Sequence, residues 1–392
     1  MKKIDLLLLT MLVMLTGCHG QRQIGDVNLI TLNYTNIFSP QKELILQDFM
    51  DVEYIALETK DVFLHNGKVE DIGEEFILIS NIRNGDVFVY DRTGKALRRF
   101  NRMGRGGDEY IRIAEVVLDE ENHEIFVYDR IGRKIVVYDL FGKFKRYFKL
   151  KEGAGAFYAD VFNYDKKHLI CYYDNYDEDE ENSFILVSKL NGNIIKEIQI
   201  PYKEKKRLEQ ALHGETINIV TPSSPRRRIN PLKDGNWLLF EFSSDTAYTF
   251  LTDYSLRPFM ARSPSIQSTN PEVFILLRLH TDRYIFIETI INEYNFTTRQ
   301  GFPTSYMMYD KKEKAMFRYT VYNGDFVNKQ EVYMNAATPI NHKIESCYPL
   351  DAYRLVESYK KGELKGKLKE IAATLKEDDN PVIMLIKHKN NR

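Results

Sequence analysis

The stretch VYDRTGK at residues 89–95 is a short apolar strand followed by a tight polar turn. It returns as VYDLFGK at residues 137–143, and weaker echoes follow as VSKLNGN at 187–193 and MYDKK at 308–312. A spacing of roughly 50 residues, built from strands and turns, is typical of a β-propeller, a ring of four-stranded blades. The repeat therefore predicts an all-β fold.

The blade around the second copy shows its four strands most clearly. Apolar runs there are separated by turns rich in Gly, Asn and charged residues, which tolerate the dihedral angles of tight turns. We predict its strands at residues 113–119, 124–129, 134–139 and 143–150. The preceding blade fits the same template, with strands predicted at 68–72, 75–80, 86–91 and 95–100. Three further blades are predicted within residues 157–200, 226–263 and 273–320.

The last blade is irregular and draws on both ends of the chain. Residues 344–349 and 353–358 are predicted as two of its strands, and residues 381–387 (PVIMLIK) as a third. This blade lacks an outer strand, whereas residues 52–57 form a strand that lacks a blade. Pairing the two closes the ring without an open edge. The sequence therefore predicts six blades, closed by an N-terminal strand in the last one.

One short helix is predicted to interrupt the last blade. Its apolar residues recur at helical spacing, at Leu364, Leu368, Ile371 and Leu375. Asn380-Pro381 ends the helix and restarts the strand. We favour a helix that caps the end of the propeller over one that binds a partner.

The N-terminus has the layout of a secretory signal. Lys2 and Lys3 give a positive start, and a short apolar run ends in small residues before Cys18. The run is too short for a stable transmembrane helix. Leu15-Thr16-Gly17-Cys18 resembles the lipobox of bacterial lipoproteins, which implies cleavage before Cys18 and lipidation there; the alternative is an ordinary signal peptide with a chance cysteine. We predict a signal peptide at 1–17, a lipid-anchored tether at 18–50 and the propeller at 51–392.

Composition excludes several classes of protein. A formal net charge of -1 gives no long-range attraction for nucleic acid or for an acidic membrane. Membrane contact is therefore expected only through the lipid, and we expect a monomer.

Cys171 and Cys347 could form a disulfide in an oxidising compartment, but Cys171 lies in a strand-like run where buried thiols are common. The scattered histidines do not form a zinc motif.

Three stretches carry a family resemblance: YIALET at 54–59, FNRMGRGGDEY at 100–110 and NPVIMLIK at 380–387. Together they resemble the six-bladed β-propeller lipoproteins of Bacteroidetes, which are relatives of the NHL-repeat propellers. In that family the glycine-rich phrase usually reads GRGPGEY, whereas here Gly107 and Asp108 replace the Pro and the following Gly. The resemblance implies a fold and an envelope location, and it brings no settled activity.

A ligand site is expected on one face of the ring. The loops between second and third strands lie on the same face as the crossovers between blades, and long loops on one face are often functional. Arginine forks suit anionic groups of a ligand. The predicted site consists of Arg83, Arg102, Arg105, Arg130, Asp108 and Tyr110. The alternative is that Arg105 and Asp108 only pin a crossover and that Tyr110 packs between blades.

Two charge runs need an interpretation of their own. The acidic run at 174–181 offers oxygen ligands that calcium would accept, but it lacks the spacing of an EF-hand loop, so we interpret it as a solvated loop. The basic run Arg226-Arg227-Arg228 has no basic surroundings. We interpret it as a surface or inter-loop contact.

The sequence features allow two functions. The first is a non-enzymatic envelope lipoprotein that needs no cofactor and binds a glycan, a peptide or a partner protein on the loop-rich face. The second is an enzyme: six-bladed propellers resembling lactonases hold a calcium ion in the central channel, where it polarises a carbonyl. Polysaccharide processing would instead need two suitably spaced carboxylates. Residues that could ligate calcium lie on or near predicted inner strands, at Glu70, Glu115, Asp160 and Asn230.

The location follows from the residues after the lipidated cysteine. Display on the cell surface of Bacteroidetes is associated with acidic residues at that point, and residues 19–23 (HGQRQ) contain none. We therefore expect the protein to be anchored to the outer membrane on its periplasmic side.

Overall fold

The computed structural model describes residues 29–34, 39–150, 157–175, 183–212, 217–223, 227–334 and 340–389. Cys18 and most of the acidic run at 174–181 lie outside these residues. Within them the strands form a six-bladed β-propeller, as the repeat predicts. None of the helices in these ranges is long and apolar enough to cross a membrane.

Three strands precede the first complete blade, with a short helix before the third. They are β1 (Ile30–Asn33), β2 (Gln41–Ile45), α1 (Leu46–Phe49) and β3 (Met50–Ala56). Blade one follows a single 3₁₀ turn at Asp61–Phe63 and consists of β4 (Lys68–Ile72), β5 (Phe76–Asn81), β6 (Asp86–Asp91) and β7 (Ala96–Asn101).

Blades two and three repeat the same antiparallel meander. Blade two consists of β8 (Ile113–Asp119), β9 (Glu124–Asp129), β10 (Lys134–Asp139) and β11 (Phe144–Lys149). Blade three consists of β12 (Phe157–Asn163), β13 (His168–Asp174), β14 (Ser183–Ser188) and β15 (Ile194–Ile198). All three blades therefore form as the sequence predicts.

Blades four and five carry small additions in their loops. A ribbon of β16 (Gln210–Leu212) and β17 (Asn218–Val220) precedes blade four, which consists of β18 (Ile229–Pro231), β19 (Trp237–Leu239), β20 (Thr246–Phe250) and β21 (Leu256–Ser263). A 3₁₀ turn at Ile266–Ser268 leads to β22 (Val273–His280) and β23 (Tyr284–Ile291) of blade five. After a ribbon of β24 (Tyr294–Asn295) and β25 (Gln300–Gly301), that blade ends with β26 (Thr304–Asp310) and β27 (Ala315–Tyr322).

Blade six closes the ring with both ends of the chain. It contains β28 (Ile344–Leu350), the helices α2 (Ala352–Lys360) and α3 (Gly366–Ala372), and β29 (Val382–His388). Strand β3 pairs antiparallel with β29, with Ala56 opposite Val382 and Met50 opposite His388. The predicted closure by an N-terminal strand is thus confirmed.

The prediction of a strand at residues 353–358 is wrong, because this segment lies within α2. Asp351 caps the helix by accepting a hydrogen bond from the Arg354 N–H. Ala352, Leu355 and Val356 are buried at a spacing of three and four residues, which is the spacing of one helix face. The helical part of the insertion is therefore longer than the single predicted helix.

Strand β28 occupies the second position of its blade, not the first. The Asn341 side chain accepts hydrogen bonds from the N–H groups of Lys343 and Ile344. Asp165 closes the turn before β13, a second strand, in the same way. The three described strands of blade six are therefore its second, third and outer strands.

The segment predicted as a tether, residues 18–50, contains two strands of the propeller. Strand β1 pairs parallel with β21, and β2 pairs parallel with β27. Each covers the open outer edge of its blade, so blades four and five have five strands. The propeller therefore begins before residue 51.

The glycine of the sequence repeat makes the contact between neighbouring blades. Gly94, Gly142 and Gly192 have φ of +87°, +76° and +78°, a region that favours glycine. A Cβ added to Gly142 would lie 2.5 Å from the Phe100 ring of blade one, and one added to Gly192 would lie 2.5 Å from Phe148 of blade two. Glycine thus allows the left-handed backbone of the turn, and at Gly142 and Gly192 it also leaves room for an aromatic ring of the preceding blade.

Both cysteines of the described chain, Cys171 and Cys347, are free thiols. Cys171 is completely buried in the core between blades two and three. The preference for a buried thiol at Cys171 is therefore confirmed.

Candidate functional site

A central cavity of about 370 Å³ opens on the face formed by the second-to-third-strand loops and the crossovers. Its wall includes residues at or near the start of the first strands of blades one to four. These residues are Lys68, Glu115, Asp160 and Arg227. The loop after β9 contributes Arg130. This is the face on which the sequence predicts the ligand site.

A second cavity of about 310 Å³ opens on the opposite face, where turns join the first and second strands of blades one to three. Glu115 and Arg227 line both cavities. These two side chains therefore lie at the waist of the central channel, between its two openings.

The waist is an ion cluster centred on Arg227. Its Nη1 lies 2.5 Å from Glu115 Oε1 and 3.2 Å from Asp160 Oδ1. The other oxygens are also used: Glu115 Oε2 accepts the Val161 N–H at 2.9 Å, and Asp160 Oδ2 accepts the Arg228 N–H at 2.7 Å. Both carboxylates are therefore held by Arg227 and by the backbone.

Burial and charge pull the pKa values of this cluster in opposite directions. Burial raises the pKa of Asp160 above its ordinary value, although Arg227 opposes the shift. Burial alone would lower the pKa of Arg227, but Glu115 and Asp160 raise it overall. Arg227 is therefore a permanent cation inside the channel.

These residues do not fit a calcium ion. The Arg227 guanidinium takes the position between Glu115 and Asp160 that a cation would need. Glu70 instead binds Lys68 Nζ at 2.8 Å and Ser80 Oγ at 2.6 Å, and Asn230 lines neither channel cavity. Across the described ranges, no three His, Cys, Asp or Glu side chains form a group that could hold a metal. The predicted calcium ligands are thus not brought together around a vacant centre.

Arg228 builds the adjoining wall of the central cavity. Its guanidinium lies over the rings of Tyr172 and Phe242, 4.5 and 4.3 Å from their centroids. Its Nη2 is 3.6 Å from Asp174 Oδ2. The Tyr172 hydroxyl donates to Glu241, and burial together with that carboxylate raises the pKa of Tyr172 far above its usual range. In this wall the charged groups are engaged by other groups of the protein.

Two charged side chains of the cavity are not committed to such networks. Arg130 is exposed and stacks on Phe157, with 3.7 Å between the guanidinium carbon and the ring centroid. Glu209 is half-buried on the crossover before blade four. Among the described residues, neither makes an ion pair or a side-chain hydrogen bond. Both remain available to a ligand.

The structure does not bring the six predicted site residues together. Arg130 lines the central cavity. The other five, which line none of the described cavities, are Arg83, Arg102, Arg105, Asp108 and Tyr110. Arg83, Arg102, Arg105 and Asp108 are exposed, on the loop after β5 and on the crossover after β7.

The crossover lies away from the channel because it is held against the outer part of blade two. The Tyr138 hydroxyl donates to Asp108 O at 2.7 Å, and Lys134 Nζ donates to Gly106 O at 3.0 Å. Tyr110 is completely buried, and its hydroxyl donates to Gly85 O at 2.6 Å. Its packing between blades one and two corresponds to the alternative interpretation of this residue.

Two residues of the basic run that is interpreted as a surface or inter-loop contact, Arg227 and Arg228, line the central cavity and pair with residues of other blades. Arg227 and Arg228 directly precede β18, the first strand of blade four. First strands begin at the loop-rich face beside the channel, and here both residues line the central cavity. The available signal was the predicted start of blade four at residue 226, the same kind of position that suggests Glu115, Asp160 and Asn230 as channel residues.

Comparison with one solved structure supports the fold, and two others align less well. An exported protein of Bacteroides fragilis NCTC 9343 aligns with a TM-score of 0.56 and 16% identity, over 92% of this chain and 100% of that chain. A DUF4221-family protein of Bacteroides vulgatus aligns with a TM-score of 0.44 and 9% identity, over 71% and 90% of the two chains. Virginiamycin B lyase of Staphylococcus aureus aligns with a TM-score of 0.34 and 10% identity, over 71% and 94%.

At 16% identity the likeness to the exported protein concerns the fold alone. No curated protein matches the sequence. A family model described as "Domain of unknown function (DUF4934)" matches residues 29–387, and the chain therefore belongs to this family.

Proposed function

We propose that the protein is a non-enzymatic ligand-binding protein of the bacterial cell envelope and that the central cavity is its binding site. The observation that carries this proposal is the lining of the cavity. Six basic and five acidic side chains of the described chain surround a space of about 370 Å³. That volume lies within the range of small-molecule sites, which bind through a few convergent polar groups.

The shape of the site favours a glycan or a short peptide over a partner protein. The site is a concavity at the channel mouth, and its polar groups converge inward. Arg130 stacked on Phe157 offers both a cation and an apolar face at its wall. These are features of a site that surrounds a small ligand.

The chemistry of the cavity favours binding over catalysis. General acid–base work by paired carboxylates needs two acids that are free to exchange protons. Here Glu115 and Asp160 are held by Arg227, and Glu241 accepts from Tyr172. Glu209 is the acid that no described residue engages.

The proposed location rests on the lipobox-like residues before Cys18. The propeller would be attached through this cysteine to the outer membrane and face the periplasm. The structural likeness to an exported protein is consistent with a place outside the cytoplasm.

The test is a binding screen with the full-length protein in detergent. Glycan and peptide libraries would be screened by thermal shift, and hits measured by calorimetry. We expect Arg130→Ala to weaken binding about 10-fold, the effect of losing one charge-assisted contact. The matched control, Arg83→Ala, removes an exposed arginine outside the cavity and should leave binding unchanged. Equal affinity of all three proteins would show that the ligand binds elsewhere.

A further inference from the structure

We propose that the ligand of the central cavity carries both a carboxylate and an ammonium group, as a short peptide with free termini does. This inference rests on the proposed function of the cavity. Basic and acidic groups line the described wall in nearly equal number. A nearly balanced wall favours a ligand with charges of both signs. A polyanion would be repelled by the acidic groups of the wall, and a polycation would be repelled by the basic ones.

The carboxylate would bind to Arg227. One nitrogen of its guanidinium, Nη1, serves both Glu115 and Asp160. Among the described residues, Nε and Nη2 have no hydrogen-bond partner, and the side chain keeps 16% of its accessible surface. Two adjacent N–H groups on one guanidinium edge match the two oxygens of a carboxylate. The ion cluster thus fixes the arginine and leaves this edge to the ligand.

The ammonium group would bind to Glu209. This side chain lines the same cavity from the crossover before blade four. It is half-buried, and within the described ranges it makes no ion pair or hydrogen bond. A half-buried carboxylate that lacks a protein partner is an acceptor for an ammonium, because the ligand then supplies the missing counter-charge.

The experiment uses the full-length protein in detergent and equilibrium dialysis against randomised tripeptides. Three versions of the mixture are compared: free termini, amidated C-termini and acetylated N-termini. Mass spectrometry measures the retained peptides. We expect peptides with free termini to be retained, and we expect amidation and acetylation each to weaken retention about 10-fold. Alginate oligosaccharides and neutral oligosaccharides are dialysed in parallel.

Two substitutions assign each end of the peptide. Arg227→Lys keeps a cation for Glu115 and Asp160 but removes the two adjacent N–H donors. This variant should therefore retain peptides with free and with amidated C-termini equally. Glu209→Gln breaks no contact within the described protein, so it should fold normally and abolish discrimination against the acetylated peptides. Arg83→Gln is the control and should retain both.

The outcomes separate this inference from the proposed function. Equal retention of free, amidated and acetylated peptides by the wild type would overturn the inference. Retention of oligosaccharides alone, weakened by Arg130→Ala, would overturn it and leave the binding function standing. If the wild type retained none of these probes, both proposals would fail.

Discussion

Arg227 Nη1 lies 2.5 Å from Glu115 Oε1 at the waist of the channel, although the two residues are 112 positions apart in the sequence. Asp160 completes the cluster from the blade that lies between them in the chain. Three blades are thus joined at the axis by one guanidinium.

Replacing Arg227 by Ala should destabilise the fold. The substitution leaves Glu115 and Asp160 buried without their counter-charge, a loss of about 3–5 kcal/mol in the free energy of unfolding. Urea denaturation followed by fluorescence measures it. The control is Lys343→Ala, which breaks an ion pair with Glu74 whose side chains are 75% and 70% exposed and which should cost less than about 1 kcal/mol. Equally small losses would contradict a structural role of the cluster.

Replacing Gly142 by Ala should disrupt the contact between blades one and two. The new Cβ would lie 2.5 Å from the Phe100 ring, and φ is +76°. We expect a loss of about 2–5 kcal/mol, the sum of backbone strain and overpacking.

Gly235→Ala is the matched control for that contact. Gly235 has a φ of +83° but nothing within 4 Å of an added Cβ, so only the strain of about 1–2 kcal/mol applies. Denaturation curves of the two variants therefore isolate the packing contribution, and identical losses would show that Phe100 moves aside freely.

Asp71 should make the stability depend on pH. It lines the second cavity and accepts the N–H groups of Ile72 and Leu118. Burial raises its pKa to about 7, despite these hydrogen bonds. Because the folded pKa lies above the unfolded value, the protonated group stabilises the fold below about pH 4, and this contribution is lost as the pH rises through about 7.

The substitution Asp71→Asn tests this dependence. Asn cannot ionise, so between pH 4 and 8 the unfolding free energy of the variant should rise relative to the wild type by on the order of 3 kcal/mol. Urea denaturation at several pH values measures the difference. Parallel curves for the two proteins would show that Asp71 ionises in the fold as it does in the unfolded chain.

Asn380 should be required for closing the ring. It is 1% exposed, its Oδ1 accepts the His65 N–H at 3.0 Å, and its Nδ2 donates to Glu58 O and Phe63 O. Asn380→Ala leaves these backbone groups unpaired, and we expect a loss of about 2–4 kcal/mol. Thermal unfolding compares it with Asn328→Ala, an exposed asparagine; equal melting temperatures would refute the prediction.

Cys18 should be the site of lipid attachment. Cells grown with an alkyne-labelled fatty acid should incorporate the label into the wild-type protein and not into Cys18→Ser. The same substitution should release the protein from the membrane fraction. Cys171→Ser, which alters a buried thiol, is the control and should retain the label. Labelling of Cys18→Ser would place the lipid elsewhere or exclude it.

The repeat made much of the fold predictable because each copy encodes a complete local structure. Asp139 accepts hydrogen bonds from the N–H groups of Phe141 and Lys143. The aspartate therefore closes the turn, and Gly142 supplies its positive φ. The apolar residues before it form the buried strand β10. These contacts span only a few residues, and a sequence therefore reveals them directly.

The helical insertion was harder to predict because residues 353–358 suit either kind of element. Tyr353 and Val356 are of residue types that are common in strands. The segment forms a helix because Asp351 caps its first turn and because the helix buries Leu355 and Val356. Strands β1 and β2 were missed for a related reason: they pair with blade edges more than 200 positions away.

The sequence by itself determined the blades, their turns and the strand that closes the ring, because short-range alternation and turn chemistry specify them. Only the tertiary structure decided the site. The meeting of Glu115, Asp160 and Arg227 in the channel depends on how three blades pack around the axis, because Glu115 and Arg227 are 112 positions apart in the sequence. Side chains on a strand alternate between two faces, and only packing of the ring selects which face borders the axis.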